Sequence, residues 1–216
     1  MYQNDPQKVL TGKVRLSYVH LTTPRPSIDG SPRYSAVLLI PKTDTATKAD
    51  IDAAIREAAK AGIAKTWGGV KPPSIHVPLH DGDGVRESGE PYGEECKGCW
   101  VLGASTKNKP GIVDSSLSEI IDSTEIYSGM YARATIRFFA YNNRGGKGIG
   151  CGLGNILKVA DGEPLSGDYS TPAKDFAEVV SSAPARAVPG RGAAAPAVYA
   201  DIDPITGQAV QDELLP

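Results

Sequence analysis

The stretch 130–141, M-Y-A-R-A-T-I-R-F-F-A-Y, constrains the fold more than any other part of the chain. Side chains of a strand alternate between two faces. Met130, Ala132, Ala134, Ile136, Phe138 and Ala140 make a plain core face. Tyr131, Arg133, Thr135, Arg137, Phe139 and Tyr141 make the other, where flat rings interleave with guanidinium groups. The following N-N-R-G-G-K-G has the composition of a hairpin turn. The return strand, 149–159, sets Gly148, Gly150, Gly152 and Gly154 in alternation. These glycines admit two readings: a bare floor on which bases lie beside the rings, or a device for sharp barrel coiling.

The rest of the chain supplies partners for this hairpin. In 9–21, Leu10, Val14, Leu16 and Tyr18 fall on one face and Lys13, Arg15 and Ser17 on the other, as in a half-buried strand. A proline-rich loop carrying Arg25 and Arg33 follows, then a strand at 34–40 that Pro41 stops. The range 47–64 is a helix. Thr47 and Asp50 resemble a capping box, and Ile51, Ala54, Ile55, Ala58 and Ala59 form its apolar stripe. Its expected role is to cover a sheet or plug a barrel end. Residues 68–95 form a long loop with a short strand at 75–79. A strand at 99–105 follows, a short one starts at 112–113, and 119–125 is a loop or short edge. Five or so strands, one inserted helix and long loops predict a mainly β fold, a small closed or partly open antiparallel barrel.

Charge divides the chain. Residues 1–160 carry 20 Lys+Arg against 16 Asp+Glu, a balance of +4; residues 161–216 carry 3 against 9, a balance of −6. A basic body with an acidic tail fits an anionic partner for the body. Residues 181–198 have no apolar periodicity and too little apolar surface to offset ordering entropy. The expected division is a domain over 8–164 and a flexible acidic tail over 165–216. Three cysteines are too few for a disulfide framework, and no signal peptide is seen. The longest apolar run, 36–40, is far too short to span a membrane. A soluble, intracellular protein is expected.

Little in the chain suggests catalysis. There is no phosphate loop, no dinucleotide fingerprint and no Ser/His/Asp order. Cys96 and Cys99, with His76 and His80 upstream, are four zinc-type ligands in an order that reverses the usual finger. Asp81 and Asp83 hint at a calcium loop, but Val85 stands at the next ligand position. With Glu87, Glu90, Glu94 and Glu95 they read as a solvated acidic loop, a poor platform for metal-dependent nuclease chemistry. Cys151 reads as a small buried hydrophobe. No cofactor is expected.

Several segments carry a family resemblance: K-V-R-L-S-Y-V-H (13–20), P-R-Y-S-A-V-L-L-I-P-K (32–42), W-G-G (67–69), P-L-H-D-G-D (78–83), K-G-C-W-V-L-G-A-S (97–105), E-I-Y-S-G-M-Y-A-R-A (125–134), F-A-Y-N (139–142) and K-G-I-G-C-G-L-G-N-I-L-K-V-A-D-G-E-P-L (147–165). Over about 8–180 the chain resembles a bacteriophage and prophage family similar to the single-stranded DNA-binding protein of an Enc34-like phage. The resemblance implies an OB-type barrel that coats single-stranded DNA in phage replication or recombination, within the bacterial host cytoplasm. It implies no residue-level site.

The site expected here therefore rests on strand alternation. Aromatics stack on bases and cations meet phosphates in sequence-tolerant single-strand binding. Arg15, Tyr131, Arg133, Arg137, Phe139, Tyr141, Arg144 and Lys147 line the expected groove, Lys107 and Lys109 extend its basic track, and Tyr34 and Trp100 are further stacking candidates. The acidic tail, tipped by Leu214 and Leu215, is the expected contact for phage or host replication proteins. Two rival readings are a single-strand annealing protein and a zinc-dependent nucleic-acid enzyme.

Overall fold

The computed structural model describes residues 4–27, 30–86, 88–143 and 146–165. Among these residues the strands are β1 (Lys8–Leu10), β2 (Val14–Pro26), β3 (Pro32–Pro41), β4 (Leu79–Asp81), β5 (Cys99–Thr106), β6 (Ile112–Val113), β7 (Tyr131–Asn143) and β8 (Gly146–Ala160). One helix, α1 (Thr45–Lys65), lies between β3 and β4. The expected tail over 165–216 falls outside the described residues save Leu165, and Arg144 and Glu87 also fall outside them.

Five strands close a ring. β7 pairs with β2, β2 with β3 and β3 with β5, all antiparallel, and β7 pairs antiparallel with β8 along nearly its whole length. The remaining gap is closed by a parallel contact of β5 with β8 at Ser105 and Gly152. The fold is mainly β and OB-like, as expected, with one parallel seam in an otherwise antiparallel ring. β1, β4 and β6 attach to β7, β5 and β8 respectively.

β7 follows the alternation of its sequence. Met130, Ala132, Ala134, Ile136 and Phe138 are all buried inside the ring. Leu16, Leu38, Ile40, Leu102, Ile149 and Ile156 meet them there. Each large apolar side chain so buried contributes about 1.5–3 kcal/mol. Ile51, Ala54 and Ala58 of α1 join this core, and the helix lies against β7, β1 and β8. The helix begins earlier than its sequence suggests. Asp44 is the N-cap and its carboxylate accepts from the Thr47 N–H at 3.0 Å. Thr47 is buried instead, and its hydroxyl accepts from the Gly12 N–H at 2.8 Å. A tertiary partner has taken the side chain that looked like a cap.

The first expected strand is two strands. Thr11 breaks it and ties the break to β7, where the Ala134 N–H donates to Thr11 Oγ1 at 3.0 Å and the Thr11 N–H to the Ala134 carbonyl at 3.0 Å. Further along, β2 slips against β3: Ser17 faces Val37, but His20 faces Ser35. Three steps on one strand match two on the other, which is a β-bulge. Tyr18 sits in it with φ +47. The expected placement of Tyr18 on the core face is thus corrected. The bulge turns Tyr18 outward to 59% exposure and buries Ser17.

The long loop before β5 is held by acids. Lys42 bridges Asp81 and Asp83, each at 2.6 Å, and Asp83 also accepts from the Gly98 N–H at 2.8 Å. Hydrogen bonding to Lys42 lowers both carboxyl pKa values below the ordinary range. These two acids are loop anchors. Among the described residues no helix is long and apolar enough to cross a membrane.

Candidate nucleic-acid interface

The outer surface of the ring offers two faces. The first lies on β2, β3 and β5. A hollow of about 220 Å³ opens there, lined by Tyr18, His20, Ser35, Val37, Gly103 and Ser105. Its lower edge is filled by a small apolar cluster in which Tyr92, Cys96 and Leu165 cover Leu39 and Val101. The upper edge leads to the β2–β3 hairpin, where Arg25 and Arg33 are register partners. Lys107 and Lys109 are exposed just past the end of β5.

His20 gives this face a pH response. Burial first, and the Arg25 charge second, push its imidazole pKa below 6.5. A folded-state value below the unfolded one means that the unfolded chain takes up the proton first. The His20 contribution to stability is therefore present at higher pH and is lost as pH falls through the imidazole range. Binding of a phosphate has the opposite sign, because it favours the charged ring. Affinity for a single strand is expected to rise as pH falls from 7 to about 5.5, by up to about fivefold for one exposed ion pair. The excess should vanish in His20→Gln, and a profile identical in both proteins would exclude His20 from the interface.

The second face is the one read from the sequence. The outward row of β7 stands as expected, and Phe139 is 45% exposed. The glycine row of β8 is not a bare floor throughout, because the β7 side chains lie over it. A Cβ at Gly150 would be 2.7 Å from the Phe139 ring, and one at Gly148 would be 2.6 Å from the Tyr141 hydroxyl. Thr135 covers Gly154 in the same way. Gly152 is the open position, with nearest neighbours at 3.5 and 3.7 Å from an added Cβ. A hollow of about 420 Å³ opens beside it, lined by Asp5, Lys8, Thr135, Arg137, Phe139 and Asn155 among others.

The expected groove residues do not all meet. Tyr131, Arg133, Arg137, Phe139 and Tyr141 share the β7 outer row. Lys13 places its ammonium 4.5 Å from the Tyr131 ring centroid. Arg133 donates from Nε to the Thr11 carbonyl at 2.9 Å, and Arg137 pairs with Asp5 at 3.3 Å. Arg15 is a structural tie: it donates to the Gly129 carbonyl at 3.3 Å and the Glu163 carbonyl at 2.6 Å. Lys147 lies away from the row, in a hollow with His76 and His80. Tyr34 has the core-facing parity of Ala36 and Leu38. Trp100 packs against the core, with Lys42 and Lys48 over its ring at 5.1 and 4.6 Å. Arg144 lies outside the described residues. Tyr18, His20 and Lys8 were missed by the sequence reading. No local signal marks Tyr18, because the bulge depends on its partner strand.

The zinc-type residues do not converge. His76 and His80 have ring centroids 6.0 Å apart. Cys96 is buried, and desolvation with the nearby Glu95 charge pushes its thiol pKa up to about 11. Among the described residues no three His, Cys, Asp or Glu side chains come together as metal ligands would. Burial raises the Cys151 thiol strongly as well.

A family model described as "Enterobacter phage Enc34, ssDNA-binding protein" matches residues 7–185. The chain is 29% identical over 180 residues to putative protein p50 of Acyrthosiphon pisum secondary endosymbiont phage 1, covering 78% of this chain and 92% of that protein. The single-stranded DNA-binding protein from bacteriophage Enc34, solved in complex with ssDNA, is similar at 32% identity and a TM-score of 0.62. That match covers 74% of this chain and 89% of the other. The single-stranded DNA-binding protein gp2.5 encoded by bacteriophage T7 shares the fold, with 14% identity and a TM-score of 0.52 over 76% of this chain and 98% of that one.

Proposed function

This chain belongs to the Enc34 phage single-stranded DNA-binding family, and from that premise we propose that it binds single-stranded DNA across β2, β3 and β5. The observation that carries the placement is Tyr18, an exposed ring held outward by a bulge over an open hollow. Bulges re-aim side chains beside binding sites. On OB-folds, oligonucleotides lie across the second and third ring strands and the adjoining loops, which here are β3 and β5 with the β2–β3 hairpin. A base stacks on Tyr18. Arg25, Arg33, Lys107 and Lys109 meet phosphates along the rim, and His20 adds charge when protonated.

The protein acts by binding rather than by catalysis. It coats DNA exposed during phage replication or recombination, in the host cytoplasm, with little sequence preference, because every base has a π-face. The acidic segment of 161–216, with nine Asp+Glu against three Lys+Arg, contacts phage or host replication proteins.

The experiment is a titration with single-stranded oligonucleotides at several salt concentrations. For about four to six neutralised phosphates, log K against log[salt] should slope at about −3 to −4. Tyr18→Ala should cost about 1–3 kcal/mol for one stacked base. Gly103 is open, with nothing within 4 Å of an added Cβ, so Gly103→Glu preserves the fold. Its charge should cost about 1–4 kcal/mol against a phosphate a few ångströms away. Folded variants that bind like the parent would exclude this face, and absence of binding at low salt would end the functional reading.

A further inference from the structure

The two faces touch at one point. Ser105 lines the hollow on β2, β3 and β5, Gly152 lines the hollow on β7 and β8, and these residues are register partners across the parallel seam. Neither raises a large side chain between the hollows. Beyond the seam, Phe139 stands half exposed, with the far edge of its ring over Gly150. Lys8 and Arg137, themselves register partners across β1 and β7, stand beside it, and Arg133 and Lys13 continue the positive charge along the same face. Among the described residues Asp5 is the one acid lining this hollow.

We propose that this face is a second subsite for single-stranded DNA, reached by the same strand as it passes over the Ser105–Gly152 seam. The proposal rests on single-strand binding at the Tyr18 face. A polynucleotide suits the second face because it repeats the two groups the face can take. A base stacks over Gly152 against Phe139, and phosphates meet Lys8 and Arg137. A phosphate displaces Asp5 from Arg137, an exchange of one exposed ion pair for another. The strand then bends around the ring, and the length of DNA covered by one molecule exceeds what the Tyr18 face alone would hold. An apolar peptide fits less well, since the hollow is flanked by the cations Lys8 and Arg137.

The test compares oligonucleotides of about six and about thirty nucleotides, the first near the low end of the roughly 4–16 nucleotides that a single OB fold covers and the second beyond that span. Gly152→Val fills the open position, where an added Cβ makes only ordinary contacts. Phe139→Ala removes the ring. Melting curves check that both variants remain folded. Each should weaken binding of the long oligonucleotide by roughly five- to 150-fold, the range for one stacked base, and change binding of the short one less than about twofold. Arg137→Ala should also make the salt slope for the long oligonucleotide shallower by about 0.7. Unchanged long-oligonucleotide affinity in folded Gly152→Val and Phe139→Ala overturns the second subsite while leaving the Tyr18 face intact. Equal losses on both lengths overturn the two-subsite arrangement, because they put the only site at Phe139. Failure of the parent to bind either length defeats the functional reading itself.

Discussion

Phe138→Ala is expected to destabilise the protein by about 3–5 kcal/mol, the range for removing a fully buried aromatic ring from a core. Phe138 is 0% exposed and lies at the centre of the ring with Leu16, Leu38, Leu102 and Met130. Its loss leaves a cavity walled by strands that are tied to both neighbours and cannot collapse far. In urea the unfolding midpoint should fall by roughly 2 M for a typical slope. The neighbouring substitution is the control. Phe139→Ala removes the same ring from the outer face and should cost less than about 1 kcal/mol, the scale of one cross-strand contact. The pair separates stability from binding along one strand. Similar losses of stability in the two variants would mean that Phe139 is part of the core.

The second large effect is expected at Gly129. Its φ is +119, a conformation that side chains rarely adopt, and an added Cβ would collide with the Glu163 carbonyl. Gly129 also sits inside a clasp that holds residues 161–165 to the ring. Its N–H donates to the Leu16 carbonyl at 2.7 Å and its carbonyl accepts from Arg15. Nearby, the Tyr127 hydroxyl meets the Gly162 carbonyl at 2.9 Å, and Lys158 reaches Glu125 and Asp161, both at 2.9 Å. Backbone strain of about 1–3 kcal/mol and overpacking of similar size give an expected cost near 2–4 kcal/mol for Gly129→Ala. Hydrogen exchange should also show faster opening of 161–165, because the collision pushes that segment off the ring. A cost below about 1 kcal/mol with unchanged exchange would show that the clasp yields without strain.

What could be read from the chain alone was what repeats locally. The inward and outward rows of β7 follow a period of two, and the stripe Ile51, Ala54 and Ala58 follows a helical period, so both are legible without a partner. The order of motifs was sufficient for the family, and the family carried the OB-like fold. The tertiary structure decided the rest, because those features depend on strands meeting. A slip of one residue in register reverses every later side chain, and the bulge between Ser17 and His20 shows this by sending Tyr18 outward. Seating is equally non-local: the glycines of β8 were visible, but only pairing with β7 laid Phe139 and Tyr141 over Gly150 and Gly148 and left Gly152 open. Asp44 displaced Thr47 as the helix cap because Gly12, 35 residues away, took the Thr47 hydroxyl. Arg15 looked like a phosphate contact until Gly129 and Glu163 were brought beside it. Period and composition thus determined which residues form strands and helix, while pairing register and long-range hydrogen bonds decided which of their side chains remain available to a ligand.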